Sequence, residues 1–165
     1  MSVLIVSIIS TAVLYAVSVL YAAIGEIFSQ KAGVMNLGLE GIMLMGAVSG
    51  YLVAVHQKNL ALALIVVILV GAALGLVFAF VTVTLQADQT VAGMAMLTFG
   101  TGLSGFIGNS VAGVNANLAF QSFEIPLLCK IPIIGPSLFD QNILVYAMYI
   151  IVPVSMIYIY KTRPG

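Results

Sequence analysis

Residues 60–85 read LALALIVVILVGAALGLVFAFVTVTL, a stretch without one ionisable side chain. At about 1.5 Å per helical residue, a run of this length is long enough to cross the approximately 30 Å hydrocarbon core of a bilayer. It stops at Gln86, Ala87 and Asp88, and Gly71 with Gly75 forms a small-xxx-small pair that lets another helix approach closely in lipid. Backbone N–H and C=O groups in lipid must be satisfied internally, which leaves helices or closed barrels. A barrel needs segments of about ten residues alternating between apolar and polar faces. This run is apolar throughout, so a helix is expected.

Working outward, the same pattern recurs on both sides. Residues 3–24 form an apolar run closed by Gly25, Glu26, Ser29, Gln30 and Lys31, with no positive stretch before it, so it reads as a retained span and not as a signal peptide. Residues 34–55 end at His56, Gln57, Lys58 and Asn59, and residues 90–110 are punctuated by Gly93, Gly100, Gly102, Gly105 and Gly108, which predicts a bent or broken helix. Residues 143–160 contain Pro153 and close at Lys161, Thr162, Arg163, Pro164 and Gly165. Residues 114–140 hold Glu124, Pro126, Lys130, Pro132, Gly135 and Pro136 and read as a loop with room for a short interfacial helix. The expectation is one all-α transmembrane domain over residues 1–165, a polytopic helical bundle of five spans.

Composition agrees along the whole chain. Of 165 residues, 62% are hydrophobic and 6% charged, against about 25% charged in a soluble domain, and the mean hydropathy is +1.23. Five basic and five acidic residues cancel, so no basic patch suggests nucleic acid as a partner. Cys129 is the one cysteine and cannot form an internal disulfide, and no spacing of His and Cys resembles a metal site. No nucleophile and base pair or phosphate loop appears, so no catalytic residue, metal or cofactor is assigned. The eight methionines are read as packing residues and His56 as an interfacial loop residue. With five spans, Lys31, Lys161 and Arg163 share one side and Lys58 and Lys130 the other, which favours an external N-terminus and a cytoplasmic C-terminus. A re-entrant second segment would reverse that parity.

The informative polar residues lie in residues 33–47, GVMNLGLEGIMLMGA. Asn36 and Glu40 are four apart and would share a helix face. A carboxylate about two turns into an apolar run costs roughly 2.5 to 3.5 kcal/mol at mid-membrane, so the pair is expected to face protein or a water-filled path and not acyl chains. Glu40 is either a buried structural acceptor tied to a neighbouring backbone or part of a solute path. Gly38, Gly41, Gly46 and Gly50 around it permit close helix contact or local unwinding. Asp88 and Gln89 read as a solvated turn, with Gln89 also a candidate for the polar core, and Glu26 as an interfacial residue or helix cap.

Residues 33–47 closely resemble the first signature of permease subunits of bacterial ABC importers for nucleosides and simple sugars, within the ribose, galactose and branched-chain amino acid permease superfamily. Its usual form is G-V-x-N-x-G-x-E-G-x-M-L-x-G-A. Asp88, Gln89, Thr90, Val91, Ala92 and Gly93 look like the family's second turn. Ile131, Pro132, Ile133, Ile134, Gly135 and Pro136 look like its external I-P-x-x-G-P loop, and residues 160–165 like its Y-x-T-x-x-G run. Met96 stands near a position where members commonly carry Asn.

The resemblance implies a bundle similar to the N-terminal half of such a permease, in the bacterial inner or plasma membrane, with the coupling segment beyond Gly165. It implies separate ABC ATPase subunits, an extracellular solute-binding lipoprotein and a second permease subunit as partners, and transport without covalent chemistry. Asn36, Glu40 and Gln89 are then the candidates for the substrate path or structural polar core. Gly38, Gly41, Gly46 and Gly93 are the candidates for backbone geometry. A non-transporting membrane fragment and a small oligomeric channel with Glu40 in a carboxylate ring are the alternatives.

Overall fold

The computed structural model describes residues 2–115, 118, 120–124, 138 and 140–161. The helices are α1 (Ser2–Lys31), α2 (Leu39–Gln57), α3 (Leu60–Ala79, continued by a π-helical turn at Phe80–Thr84), α4 (Gln89–Gly108, continued by a 3-10 turn at Asn109–Val111) and α5 (Ile143–Lys161). All five are long and apolar enough to cross a membrane. The protein is thus an all-α polytopic bundle, with large apolar side chains such as Ile68, Leu69, Leu76 and Phe106 turned outward. In water such surfaces would be costly; in lipid they meet a solvent of their own polarity.

The chain divides into two compact units, one of residues 1–28 and 120–165, the other of residues 29–119. In the first, Val17 of α1 and Val145 and Met148 of α5 are buried together, flanked by Val13, Tyr21, Ile24 and Val152. The Tyr21 hydroxyl of α1 donates to the Leu144 carbonyl in the first turn of α5 at 2.9 Å, so the phenol finds a backbone partner. Two three-residue strands, β1 (Ser122–Glu124) and β2 (Asp140–Asn142), pair antiparallel with Phe123 opposite Gln141. Gln141 is buried and its Nε2 donates to the Ser10 Oγ at 2.7 Å. The segment read as a loop thus carries strands at its described ends. The I-P-x-x-G-P residues, Cys129 and Lys130 lie outside the described residues, as do Arg163 and the last residues of the chain.

The second unit is a three-helix body in which α2 packs against both α3 and α4. Its helices start where side chains cap them. The Asn59 Oδ1 accepts from the Ala61 and Leu62 N–H groups at the start of α3, and the Asp88 Oδ1 accepts from Thr90 and Val91 at the start of α4. Each cap satisfies two of the N–H groups that a helix leaves orphaned. The predicted break in α4 does not occur: the helix is continuous through Gly93, Gly100, Gly102 and Gly105. Glycine lowers helix propensity by about 1 kcal/mol, which a lipid-embedded helix tolerates because an unmade backbone hydrogen bond there costs more.

Candidate functional site

The two sequence signatures, residues 33–47 and Asp88–Gly93, come together at one end of the second unit. There α1 finishes in a Schellman arrangement. The Val34 N–H donates to the Ser29 carbonyl at 3.0 Å and the Gly33 N–H to the Gln30 carbonyl at 3.0 Å, with Gly33 left-handed at φ +83. A side chain on Gly33 would be strained by that φ, not by lack of space, since nothing lies within 4 Å of its would-be Cβ. The Ser29 hydroxyl donates to the Val34 carbonyl at 2.9 Å and closes the turn.

The connection is held by a side chain of α4. The Gln89 Oε1 accepts from the Met35 N–H at 2.8 Å, and the Gln89 Nε2 donates to the Gly33 carbonyl at 3.2 Å. Asn36 then turns the chain into α2: its Oδ1 accepts from the Gly38 N–H at 3.0 Å, an Asx turn. Asn36 therefore precedes α2 and does not lie on it. The shared helix face expected for Asn36 and Glu40 does not arise, because Gly33 and Asn36 terminate one helix and delay the next until Leu39.

Glu40 lies in the first turn of α2, not two turns deep. Its carboxylate is where the helix dipole favours an anion. Its side chain is exposed, and among the described residues no hydrogen bond or ion pair reaches it. Helical spacing puts Glu40 in a row with Leu44, Ala47 and Tyr51, all exposed, whereas Gly41, Met45, Gly46, Gly50 and Ala54 are buried. Asn36 is half-buried.

The signature glycines make the contact between α2 and α4. A Cβ on Gly41 would lie 2.6 Å from the Met96 carbonyl oxygen, and one on Gly38 would lie 2.6 Å from the Met96 Cβ. One on Gly93 would lie 2.8 Å from the Leu37 Cβ, and one on Gly100 would lie 2.5 Å from the Gly41 carbonyl oxygen. Backbone meets backbone here, so only glycine allows the approach. Gly46 faces α3, where its Cβ would make ordinary contact with Val67 at 3.5 Å, while that of Gly50 would meet Val67 at 2.5 Å. Gly100 is the contact that sequence reading passed over, and Gly50 was read as permitting close helix contact without being counted among the site residues; the seven-residue step from Gly93 to Gly100 was the available signal.

Met96 is buried against Gly38 and helps line a cleft of about 430 Å³ between α3 and α4, with Leu74, Val77, Phe78, Val81 and Phe99. An Asn in its place would need polar partners that this lining does not offer. The cleft has no side chain able to hydrogen-bond a sugar or base, so it is no solute site by itself. No group of three or more His, Cys, Asp or Glu residues among the described residues is placed to hold a metal ion.

An apolar five-helix chain whose glycine signatures knit one helix contact has the build of a polytopic membrane protein. The chain matches, over residues 7–164, the family described as branched-chain amino acid transport system / permease component, and it belongs to that family. It is 30% identical over 168 residues to the nucleoside ABC transporter permease protein NupC of Lactococcus lactis, covering 96% of this chain and 53% of that protein. It is 33% identical over 144 residues to the guanosine ABC transporter permease protein NupQ of Bacillus subtilis, covering 81% of this chain and 45% of that one. It is also 33% identical over 150 residues to the permease protein TsgC13 of Haloferax volcanii, provisionally named for glucose, covering 88% of this chain and 45% of that protein. The chain spans about half the length of these curated relatives. No solved structure matches it. With five helices long and apolar enough to cross a membrane, the chain is a multi-pass plasma-membrane member of this family of permease components.

Proposed function

We propose that these residues form the N-terminal portion of a permease subunit that, with a second permease subunit, makes the translocation path for a nucleoside, with a simple sugar as the next substrate class. The observation that carries the reading is the joining of both signatures in one body: Gln89 on the Gly33–Met35 connection and Gly41 against Gly100. Two relatives are named for nucleosides and one for glucose, which supports the order of the substrates. ATP hydrolysis then falls to separate ATPase subunits, and capture of solute to an external binding lipoprotein. ATP binding drives import by favouring one permease conformation through differential contact.

Glu40 acts on the path or on a partner helix and not as an acceptor inside its own unit, a reading supported by its exposed carboxylate on a face that α3 and α4 leave uncovered. Residues 114–140 lie on the external side, opposite Lys161 and Arg163. The test is uptake of labelled guanosine and glucose by the transporter assembled with its ATPases and binding protein. Nucleoside uptake, competed by unlabelled nucleoside and reduced at least severalfold by Glu40→Gln at equal membrane abundance, is the expected result. Uptake of neither solute class overturns the substrate reading, and full uptake by Glu40→Gln overturns the role of the carboxylate.

A further inference from the structure

Between the Schellman end of α1 and the Asx turn at Asn36, residues 34–36 belong to neither helix nor sheet. The Gly33 carbonyl and the Met35 N–H lie on either side of Val34, close enough together for one side chain to reach both. The primary amide of Gln89 presents one acceptor and one donor side by side and meets both, at 2.8 and 3.2 Å. Gln89 is also the first member of the α4 row that continues through Gly93, Met96, Gly100 and Ser104, the buried face of that helix. We propose that Gln89 is a positioning residue for translocation: its amide latches the Gly33–Met35 connection to α4 and so sets where α2 begins, and with it the placement of Asn36 and Glu40.

This inference rests on the permease reading above for its effect on uptake, but the latch itself is testable without it. No other side chain of similar length has the same pair of groups. Leucine has neither, and an ionised glutamate keeps the acceptor for Met35 but sets a second bare oxygen against the Gly33 carbonyl. A protonated glutamate regains the donor. The charged and imidazole groups on the elements that meet here are Glu26 and Lys31 on α1, Glu40 and, near the far end, His56 on α2, and Asp88 at the cap of α4; Glu26 is half-buried and the others are exposed. Each variant is therefore compared with the unaltered protein at the same pH.

The experiment uses the full chain in nanodiscs and follows hydrogen exchange of the Met35 amide at pH 7.5 and at about pH 3.5, below the ordinary glutamate range, with uptake by the assembled transporter measured in parallel. In Gln89→Glu, protection of the Met35 amide is expected to fall about tenfold at the higher pH, the scale of one lost hydrogen bond, and to return at the lower. Uptake is expected to fall severalfold and recover with it. Gln89→Leu is expected to lose both at either pH. Undiminished Met35 protection in Gln89→Leu overturns the latch. Full uptake with the amide open, or a loss in Gln89→Glu that acid does not reverse, overturns the positioning role. If the unaltered transporter moves neither guanosine nor glucose, the substrate reading fails, while the exchange comparison still decides whether Gln89 sets the connection.

Discussion

Replacing Gly100 with alanine places a methyl group 2.5 Å from the Gly41 carbonyl oxygen and 2.6 Å from the Gly41 C and Cα atoms. An ordinary contact begins near 3.4 Å, so α2 and α4 must separate by nearly an ångström. The obstructing atoms are backbone, and no rotamer change relieves them. Overpacking of this kind costs typically about 1 to 3 kcal/mol, and the rigid neighbours put Gly100→Ala at the upper end. Better helix propensity returns about 1 kcal/mol, for a net loss of about 2 kcal/mol. In a chain of this size each kcal/mol shifts Tm by about 2 to 4 °C, so a fall of about 4 to 8 °C is expected in a thermal unfolding scan of detergent-solubilised protein. Gly105→Ala is the control, since nothing lies within 4 Å of its Cβ. It should leave Tm unchanged or slightly raised. Gly41→Ala should behave like Gly100→Ala, and the double variant should cost less than the sum because one separation accommodates both methyl groups. Equal Tm values for Gly100→Ala and Gly105→Ala would refute the backbone contact.

Three further outcomes are expected. Asp88→Ala removes the cap that accepts from Thr90 and Val91 and should cost about 1 kcal/mol, read as a fall in Tm that Asp88→Asn largely avoids. Gln141→Ala removes the buried amide that donates to Ser10, and should lower Tm by several degrees, since loss of a buried partner costs about 1 to 3 kcal/mol; an unchanged Tm would show that the contact contributes nothing. Cys129 should react with an impermeant thiol reagent in intact cells, and protection there with labelling in inverted vesicles would place residues 114–140 on the cytoplasmic side.

The helices were legible because lipid imposes one rule on the whole chain: a continuous apolar run of sufficient length has no other way to satisfy its backbone. That rule is silent on where a helix starts inside such a run. Residues 34–38 are nearly as apolar as the helix that follows, and they stay outside it because Gly33 is left-handed and Asn36 closes an Asx turn. The same rule held for α4, where glycines that look like breaks occupy the contact face or open space within a continuous helix. Gln89 was legible as a turn neighbour of Asp88, but its partners lie 54 and 56 residues away. No local pattern announces them.

The position of Glu40 changes what its presence implies. Two turns into a span, a carboxylate would carry a cost of roughly 2.5 to 3.5 kcal/mol, and that cost alone would argue for a partner, a proton or a path. In the first turn of α2 the dipole instead favours the charge by about 0.3 to 1 kcal/mol. The 19-residue helix, about 28 Å long, only just reaches across the hydrocarbon, which leaves its first turn near the interface. Desolvation therefore no longer compels a function. What distinguishes Glu40 from an ordinary helix-terminal acid is its direction, on the row with Leu44, Ala47 and Tyr51 that neither α3 nor α4 covers. Glu40→Gln keeps the size and reach of the side chain, removes the charge and replaces one acceptor oxygen with an N–H donor. Its effect on uptake consequently separates a carboxylate that meets solute or a partner helix from one that merely suits the end of its own.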